Sequence, residues 1–388
     1  MPSLYVHVPF CVQKCDYCAF YSQALVDNPK ELISVYLEGL EVESSARQKD
    51  APQGVSSLFI GGGTPTALKD NELEQLLGMI HQFFSINSGA EKTVEGNPGT
   101  LSDEKLVILR RYGINRFSLG VQSFDDSLLR AVGRVHTAEQ ARKALRRLRM
   151  AGFKNVNLDL MFGLPGQDMA AWDASLEEAL SYSPEHLSLY GLMLEEGTPL
   201  YGRYMGTREV KRGDKEELYR LPDDDLQAEM YEWAVPRLKQ AGYRQYETSN
   251  FALPGFECQH NLGYWRGGDY LGLGPGGVSC LDRVRWKNIE DVCSYAKLLL
   301  KGESPLDEAG QEVLSLRECM AERMILGLRL AEGVDLSSFR NDFGADLRDI
   351  YRDVLARYDK EIFVFQGEYL CLNPKYAFVA NSILQEFV

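Results

Sequence analysis

The sequence predicts an α/β protein, a partial (β/α)6 TIM-like barrel followed by a smaller C-terminal helical domain of winged-helix-like form. Three observations predict it. Six short β-rich runs alternate with longer amphipathic segments; glycine and polar residues gather at the ends of those runs; and after about residue 200 the rhythm gives way to helices and a terminal hairpin.

The six runs are LYVHV at 4–8, SLFIGGG at 57–63, KTVEGN at 92–97, RFSLGVQS at 116–123, VNLDLMFGLPG at 156–166 and HLSLYGLML at 186–194. Helical patterns such as ELEQLLGMIHQFF at 72–84 and AEQARKALRRLRMAG at 138–152 lie between them, the second with Gly152 as its stop. Strand-then-helix units of this kind imply parallel strands joined by right-handed crossovers. In such barrels the chemistry sits where the strands end. Cys11, Gly61–Gly63, Glu95, Gln122 and Asp159 all fall there, a convergence that core packing does not explain.

Residues 1–200 are therefore read as the barrel and 201–305 as its extension. The extension holds a charged, Tyr-rich segment at 201–226, a helix at about 226–241 and a glycine-rich loop, HNLGYWRGGDYLGLGPGGVS, at 260–279. Residues 306–388 form the C-terminal domain, with helices in EVLSLRECMAERMILGLRL and ADLRDIYRDVLARY, strands EIFVF and EYLCL across a Gln-Gly turn, and a final helix. Winged-helix topologies often bind nucleic acid. The net charge of -14 and pI near 5.0 oppose that use and favour a packing or lid role.

The chain has 388 residues, 45% hydrophobic and 25% charged, which is ordinary globular composition. No apolar run is long enough to span a bilayer, and MPSLYVHVPF lacks the features of a signal peptide, so a soluble, cytoplasmic protein is expected. In that reducing compartment a tight group of cysteines reads as ligands or redox chemistry. The scattered Cys258, Cys280, Cys293, Cys319 and Cys371 are expected to be buried apolar residues, and Asp223–Asp225 a solvated surface.

The tight group is PFCVQKCDYCAF, with Cys11, Cys15 and Cys18 spaced C-x3-C-x2-C. Structural zinc wants four ligands, normally two pairs, and no second C-x2-C exists; His7 lies inside the first strand. Three thiolates suit a [4Fe–4S] cluster whose fourth iron stays open to another ligand. This motif at the end of a first barrel strand resembles the radical S-adenosylmethionine (SAM) superfamily. The resemblance implies that SAM chelates the open iron and that an electron from the cluster cleaves its sulfonium to a 5'-deoxyadenosyl radical.

Gly62, Gly63 and Thr64, in SLFIGGGTPT, resemble the family's GGxTP element, which pairs exposed backbone with the amino acid part of SAM. The same resemblance gives Arg134 to the carboxylate, Glu95 to the amino group, Gln122 and Asp159 to the ribose, and Tyr5 to the cofactor's side, with the allocation open to permutation. Taken singly, each of these residues has an ordinary reading as a cap, a surface pair or core. As a set on successive strand ends they do not.

Within the superfamily, LYVHVPFC, GGGTPT, GVQSFDD, DLMFGLPGQ and LSLYGLMLEEGTPL resemble the group that holds oxygen-independent coproporphyrinogen III dehydrogenase and the HemW-type heme chaperones. The dehydrogenase pattern ends C-x2-C-x-C, whereas Phe20 stands two after Cys18 here, as in the chaperone branch. Ten residues precede Cys11, too few for the dehydrogenase's N-terminal segment. HNLGYW at 260–265 resembles the HNxxYW element of the chaperones. The resemblance thus implies a chaperone that binds heme and passes it to an acceptor protein, with an electron donor for the cluster and no nucleic-acid or integral-membrane partner. The alternative is the dehydrogenase, which abstracts hydrogen from a porphyrinogen propionate. For heme, His260 offers an imidazole to iron and Tyr264 and Trp265 a flat apolar surface, with Cys258 a further iron contact. Arg266, Arg283 and Arg285 are candidates for propionates. Equally, His260 fixes its own loop by hydrogen bonding and the arginines are surface residues.

Overall fold

The computed structural model describes residues 1–25, 29–205, 220–358 and 361–388. Six parallel strands form its centre: β1 (Ser3–Val8), β2 (Val55–Gly62), β3 (Ile86–Gly96), β4 (Arg116–Gln122), β5 (Val156–Phe162) and β6 (His186–Gly191). They pair in sequence order, each in parallel with the next. The partial (β/α)6 barrel predicted from the sequence is the observed architecture.

Side-chain parity along these strands explains the arrangement. Leu4, Val6, Val8, Leu58, Ile60, Phe117, Leu119, Val121, Leu158, Leu160 and Leu187 are all fully buried, in one core with helix residues such as Leu76, Leu109, Leu148 and Trp172. Alternate residues turn the other way, into the lumen, and are mostly polar. Cross-strand register aligns them: Thr93 with Arg116, Glu95 with Ser118, Ser118 with Asn157, Asn157 with His186, and Asp159 with Ser188. The crossover helices start on side-chain caps, Ser102, Asp125, Thr137 and Asp168 among them. Gly152, at φ +82°, follows the helix that ends at Met150, as expected for a left-handed stop.

Six parallel strands leave two open edges, and the extension covers both. β8 (Asn250–Ala252) adds antiparallel to β6, and β7 (Arg244–Gln245) pairs antiparallel with β8 at the outer edge. On the other side β9 (Tyr270–Leu273) pairs in parallel with β1, and β10 (Val278–Leu281), β11 (Val284–Asn288) and β12 (Leu306–Val313) continue antiparallel, completing a 12-stranded sheet. Stretch 260–279, expected as a loop, is instead a helix at Gln259–Trp265 followed by β9 and the start of β10. The sheet also runs on to Val313, beyond residue 305, in a strand whose residues are largely exposed. Of segment 201–226, residues 206–219 lie outside the described residues; Pro199–Tyr204 and Asp224–Gln240 are helices.

The C-terminal domain has its own core, including Met324, Phe339, Leu347, Leu370, Ile383 and Phe387. Its sheet places β13 (Val334–Asp335) and β14 (Phe363–Gln366) on either side of β15 (Tyr369–Leu372), flanked by helices. Helices with a terminal hairpin match the winged-helix-like expectation. The scattered cysteines divide: Cys258 and Cys371 are buried, Cys280 and Cys319 are half-buried, and Cys293 is exposed, because it sits on the outer side of the helix at Val292–Leu300. Among the described residues no helix is long and apolar enough to cross a membrane.

A buried carboxylate ties the extension to the barrel. Glu43, 1% exposed on the helix Pro29–Arg47, accepts from Gly274 N at 2.8 Å, Asn288 Nδ2 at 2.6 Å and Tyr295 Oη at 2.5 Å. Burial raises its pKa, and these donors oppose the rise. Glu43→Ala strands three buried donors and is expected to cost on the order of 3 kcal/mol in urea denaturation, with Glu43→Gln costing less.

Candidate cofactor mouth and the opposite end of the barrel

The three cysteines follow β1 directly. Cys11 ends a two-residue strand, Phe10–Cys11, that pairs with Gln23–Ala24 and so closes the loop on itself. The intervening turn is pinned from outside: Asp16 N donates to Val132 O, Asp16 O accepts from Leu200 N, and the Asp16 carboxylate pairs with Arg203. Burial raises the Cys11 and Cys18 thiols above their ordinary range, and the neighbouring cysteines raise them further. Thr64 Oγ1 donates to Cys11 Sγ at 3.5 Å and Arg134 Nη1 to Cys15 Sγ at 3.4 Å. Three neighbouring cysteines, two of them supplied with donors, fit ligation as thiolates by a cationic iron centre. Among the described residues no three His, Cys, Asp or Glu side chains converge as a single ion would require. A cubane, in which each thiolate takes a different iron, does not need that convergence.

Beside them lies the glycine turn. Gly62 has φ +104°, and a Cβ there would stand 2.4 Å from the His7 ring; a Cβ on Gly63 would stand 2.6 Å from Phe10 O. The backbone needs this space, since Gly63 N bonds Val8 O at 2.9 Å and Thr64 N bonds Phe10 O at 2.6 Å. Gly62 N donates to Glu95 Oε2 at 3.1 Å. Burial, then the nearby Asp159 charge, pushes Glu95 up to about 7. Burial also raises Asp159, against bonds from Asn157 Nδ2 at 2.7 Å and Ser118 Oγ at 3.3 Å. Tyr190 is 41% exposed beside these acids, so this part of the lumen is open rather than filled.

Arg134 ties the strand ends together. Nη2 donates to Asn97 Oδ1 at 2.6 Å and to Gly120 O, and Asn97 Nδ2 donates to Thr64 Oγ1 at 2.8 Å. Its Nε is buried without a partner, and the side chain lines a cavity of about 240 Å³ with Val12, Gln13, Cys15, Asn97 and His136. A guanidinium lining a cavity fits a carboxylate ligand. Gln122 has φ +66° and closes the set at the end of β4. Tyr5 Oη bonds His7 Nδ1 at 2.9 Å while His7 Nε2 donates to Tyr21 O at 3.0 Å, a chain linking β1 to the cysteine loop. The sequence reading missed Asn97 and His136. Asn97 stands two after Glu95 in EGNP, which is its one signal.

His260 lies elsewhere. It is 1% exposed, with Nδ1 2.8 Å from Ser57 Oγ and Nε2 3.2 Å from Tyr264 Oη. Burial, then the Arg116 charge, lowers its pKa to about 3. Cys258 is fully buried, and its Sγ donates to Glu91 Oε1 at 3.2 Å. Ser57 and Glu91 sit well before the C-terminal ends of β2 and β3. From Ser57 to Gly62 is five residues of strand, about 16 Å, so HNLGYW and the cysteines serve opposite ends of the barrel. Neither ring nitrogen of His260 is free for iron in this conformation: Nδ1 holds the helix to the barrel through Ser57, and Nε2 is taken by Tyr264 one turn along the same helix. The Trp265 ring is covered by Arg329 at 5.0 Å, and Arg266 and Arg285 are paired with Glu332 and Glu322.

The fold and the cysteine mouth define a radical SAM protein: residues 5–179 match the Radical SAM superfamily, and residues 314–375 match the HemN C-terminal domain. The chain is 35% identical over 387 residues to the heme chaperone HemW of Lactococcus lactis, covering 100% of this chain and 97% of that one. It is 37% identical to the heme chaperone HemW of Bacillus subtilis, covering 92% and 90% of the two chains. The chain belongs to the HemW heme chaperone family. Its fold is also that of the Escherichia coli radical SAM enzyme coproporphyrinogen III oxidase (HemN), at TM-score 0.83 and 24% identity over 100% of this chain and 90% of that one.

The His260 geometry yields a prediction about stability. His260→Ala leaves Ser57 and Tyr264 unpartnered in the interior and is expected to lower unfolding free energy by about 2 kcal/mol in urea titration. A variant as stable as the wild type overturns the anchoring role.

Proposed function

We propose that this chain binds a [4Fe–4S] cluster through Cys11, Cys15 and Cys18, binds SAM on the adjoining strand ends, and carries heme to an acceptor protein. When bound, such a cluster supplies one-electron chemistry at an open iron. The chain's residues do the rest. Thr64 and Arg134 donate to the thiolates, the Gly62–Gly63 backbone, packed against His7 and Phe10, meets the amino acid moiety, and Arg134 faces its carboxylate. Glu95 accepts from the amino group, Tyr5 lies beside it, and Gln122 and Asp159 take the ribose hydroxyls.

The observation that carries the heme reading is the end-to-end likeness to heme chaperones, which the oxidase shares only in fold. Phe20 supports it: the residue two after Cys18 is an apolar side chain 73% exposed, where the dehydrogenase pattern has a cysteine. Heme contact through His260 belongs to a state in which its bond to Ser57 or Tyr264 has opened. The acceptor protein, the cluster's electron donor and a cytoplasmic location are part of this reading and rest on the family.

The deciding experiment incubates the reconstituted protein anaerobically with coproporphyrinogen III, SAM and a strong reductant, then adds hemin to a parallel sample. A Soret band that moves to an apo-hemoprotein, with no protoporphyrinogen by chromatography, is expected. Formation of protoporphyrinogen makes the chain a dehydrogenase instead.

Glu95 supplies a pH dependence. Its carboxyl is raised to about 7, so the free protein holds it charged above that pH and protonated below. An amino group needs the charged acceptor, so SAM affinity is expected to fall towards tenfold per pH unit as pH drops below about 7. Equilibrium dialysis between pH 5.5 and 8.5 measures it; Glu95→Gln binds more weakly, with a flat profile.

A further inference from the structure

Residues 134 and 136 of one loop donate to two consecutive carbonyls at the end of β4. Arg134 Nη2 gives to Gly120 O, and His136 Nε2 lies 3.0 Å from Val121 O. A carbonyl only accepts, so Nε2 carries the proton and Nδ1 the lone pair. Val121 O also takes Ser123 N–H at 2.8 Å, an i to i+2 bond that makes a γ-turn centred on Gln122.

That turn is strained. Gln122 sits at φ +66°, which a residue with a Cβ seldom adopts, and the register of β4 against β5 slips between Gly120 and Gln122. Strain of this kind lasts only where the surroundings over-determine it. His136 is 4% exposed, so water does not replace its donor, and burial with the Arg134 charge holds its pKa down at about 3. The ring therefore stays a neutral donor at any working pH. It also lines the cavity that holds Arg134 and Cys15.

We propose that His136 is a positioning residue for the cofactor mouth: its Nε2–H pins the Val121 carbonyl and so aims the Gln122 amide at the ligand that Arg134 faces. The proposal rests on the reading of this mouth as a SAM site. Arg134 and His136 then act as one clamp, the first touching the ligand and the second fixing the turn that presents Gln122.

The test compares wild type, His136→Leu and His136→Gln, each reconstituted and assayed for iron and sulfide. Leu keeps the volume and removes the donor; Gln restores a donor at similar reach. SAM affinity by equilibrium dialysis is expected to drop about tenfold in His136→Leu and to return to within about twofold of wild type in His136→Gln. The change that SAM causes in the reduced cluster's EPR spectrum should be altered in Leu and recovered in Gln. Equal loss in both variants at full cluster content, or no loss in either, overturns the positioning role. A wild type that holds its cluster and binds no SAM overturns the cofactor reading itself, whatever the variants do. Nitrogen-15 histidine spectra of the wild type check the clamp without SAM: an Nε2–H tautomer persisting from pH 5 to 8 is expected, and a ring titrating in that range overturns it.

Discussion

One buried cation touches the electrostatics of much of the lumen, second to burial itself. Arg116 is 2% exposed, its Nε has no hydrogen-bond partner, and its nearest countercharge is Glu91 at 3.9 Å. A guanidinium taken out of water acts on every titratable group around it, because little solvent screens the field. It opposes the burial that raises Glu95, Asp159 and Cys258. It adds to the burial that keeps His186 and His260 neutral. The neutral rings then serve as hydrogen-bond links. His186 Nδ1 lies 2.6 Å from Asn157 Oδ1 and Nε2 2.8 Å from Tyr246 Oη; an amide oxygen only accepts, so Nδ1 carries the proton and Nε2 accepts from the tyrosine.

The barrel has two ends with different hydrogen bonding. At the strand C-termini Gln122 is strained, Arg134 lines a cavity with Cys15 and His136, and Tyr190 is 41% exposed. At the other end the groups are closed upon each other, with Ser57, His260 and Tyr264 in one chain and Cys258 and the His260 N–H both on Glu91.

What was legible in the sequence follows from that division. Strands β1 to β6 were readable because an apolar outer face and a polar lumen impose alternation, and glycine and cysteine mark their ends. The mouth was readable because its residues come in short local motifs. Stretch 260–279 was not, since its glycines, Gly274 and Gly276 among them at positive φ, look like a loop while Tyr270–Leu273 is a buried strand. β12 carries the polar sequence LDEAGQEV on an exposed edge and gives no hydrophobic signal. Asn97 and His136 act through hydrogen bonds to partners distant in sequence, and such bonds leave no periodic trace. His260 was found as important but with its role open, because a motif gives residue types and not which nitrogen is occupied.

The helix Gln259–Trp265 faces two ways, and this bears on how cargo and scaffold are coupled. One side anchors to the barrel through His260 and Leu262. The other meets the C-terminal domain through Arg329 over Trp265 and Arg266 on Glu332, while Ala331 N donates to Tyr246 O at 3.0 Å. Tyr246 in turn bonds His186 inside the lumen and accepts Cys258 N–H at 3.3 Å. Freeing His260 therefore costs more than one imidazole bond, because the same helix carries Trp265 and Arg266. A ligand that gains from the opened helix must supply that free energy from its own contacts. The HNLGYW segment is thus a joint between the lumen and the C-terminal domain.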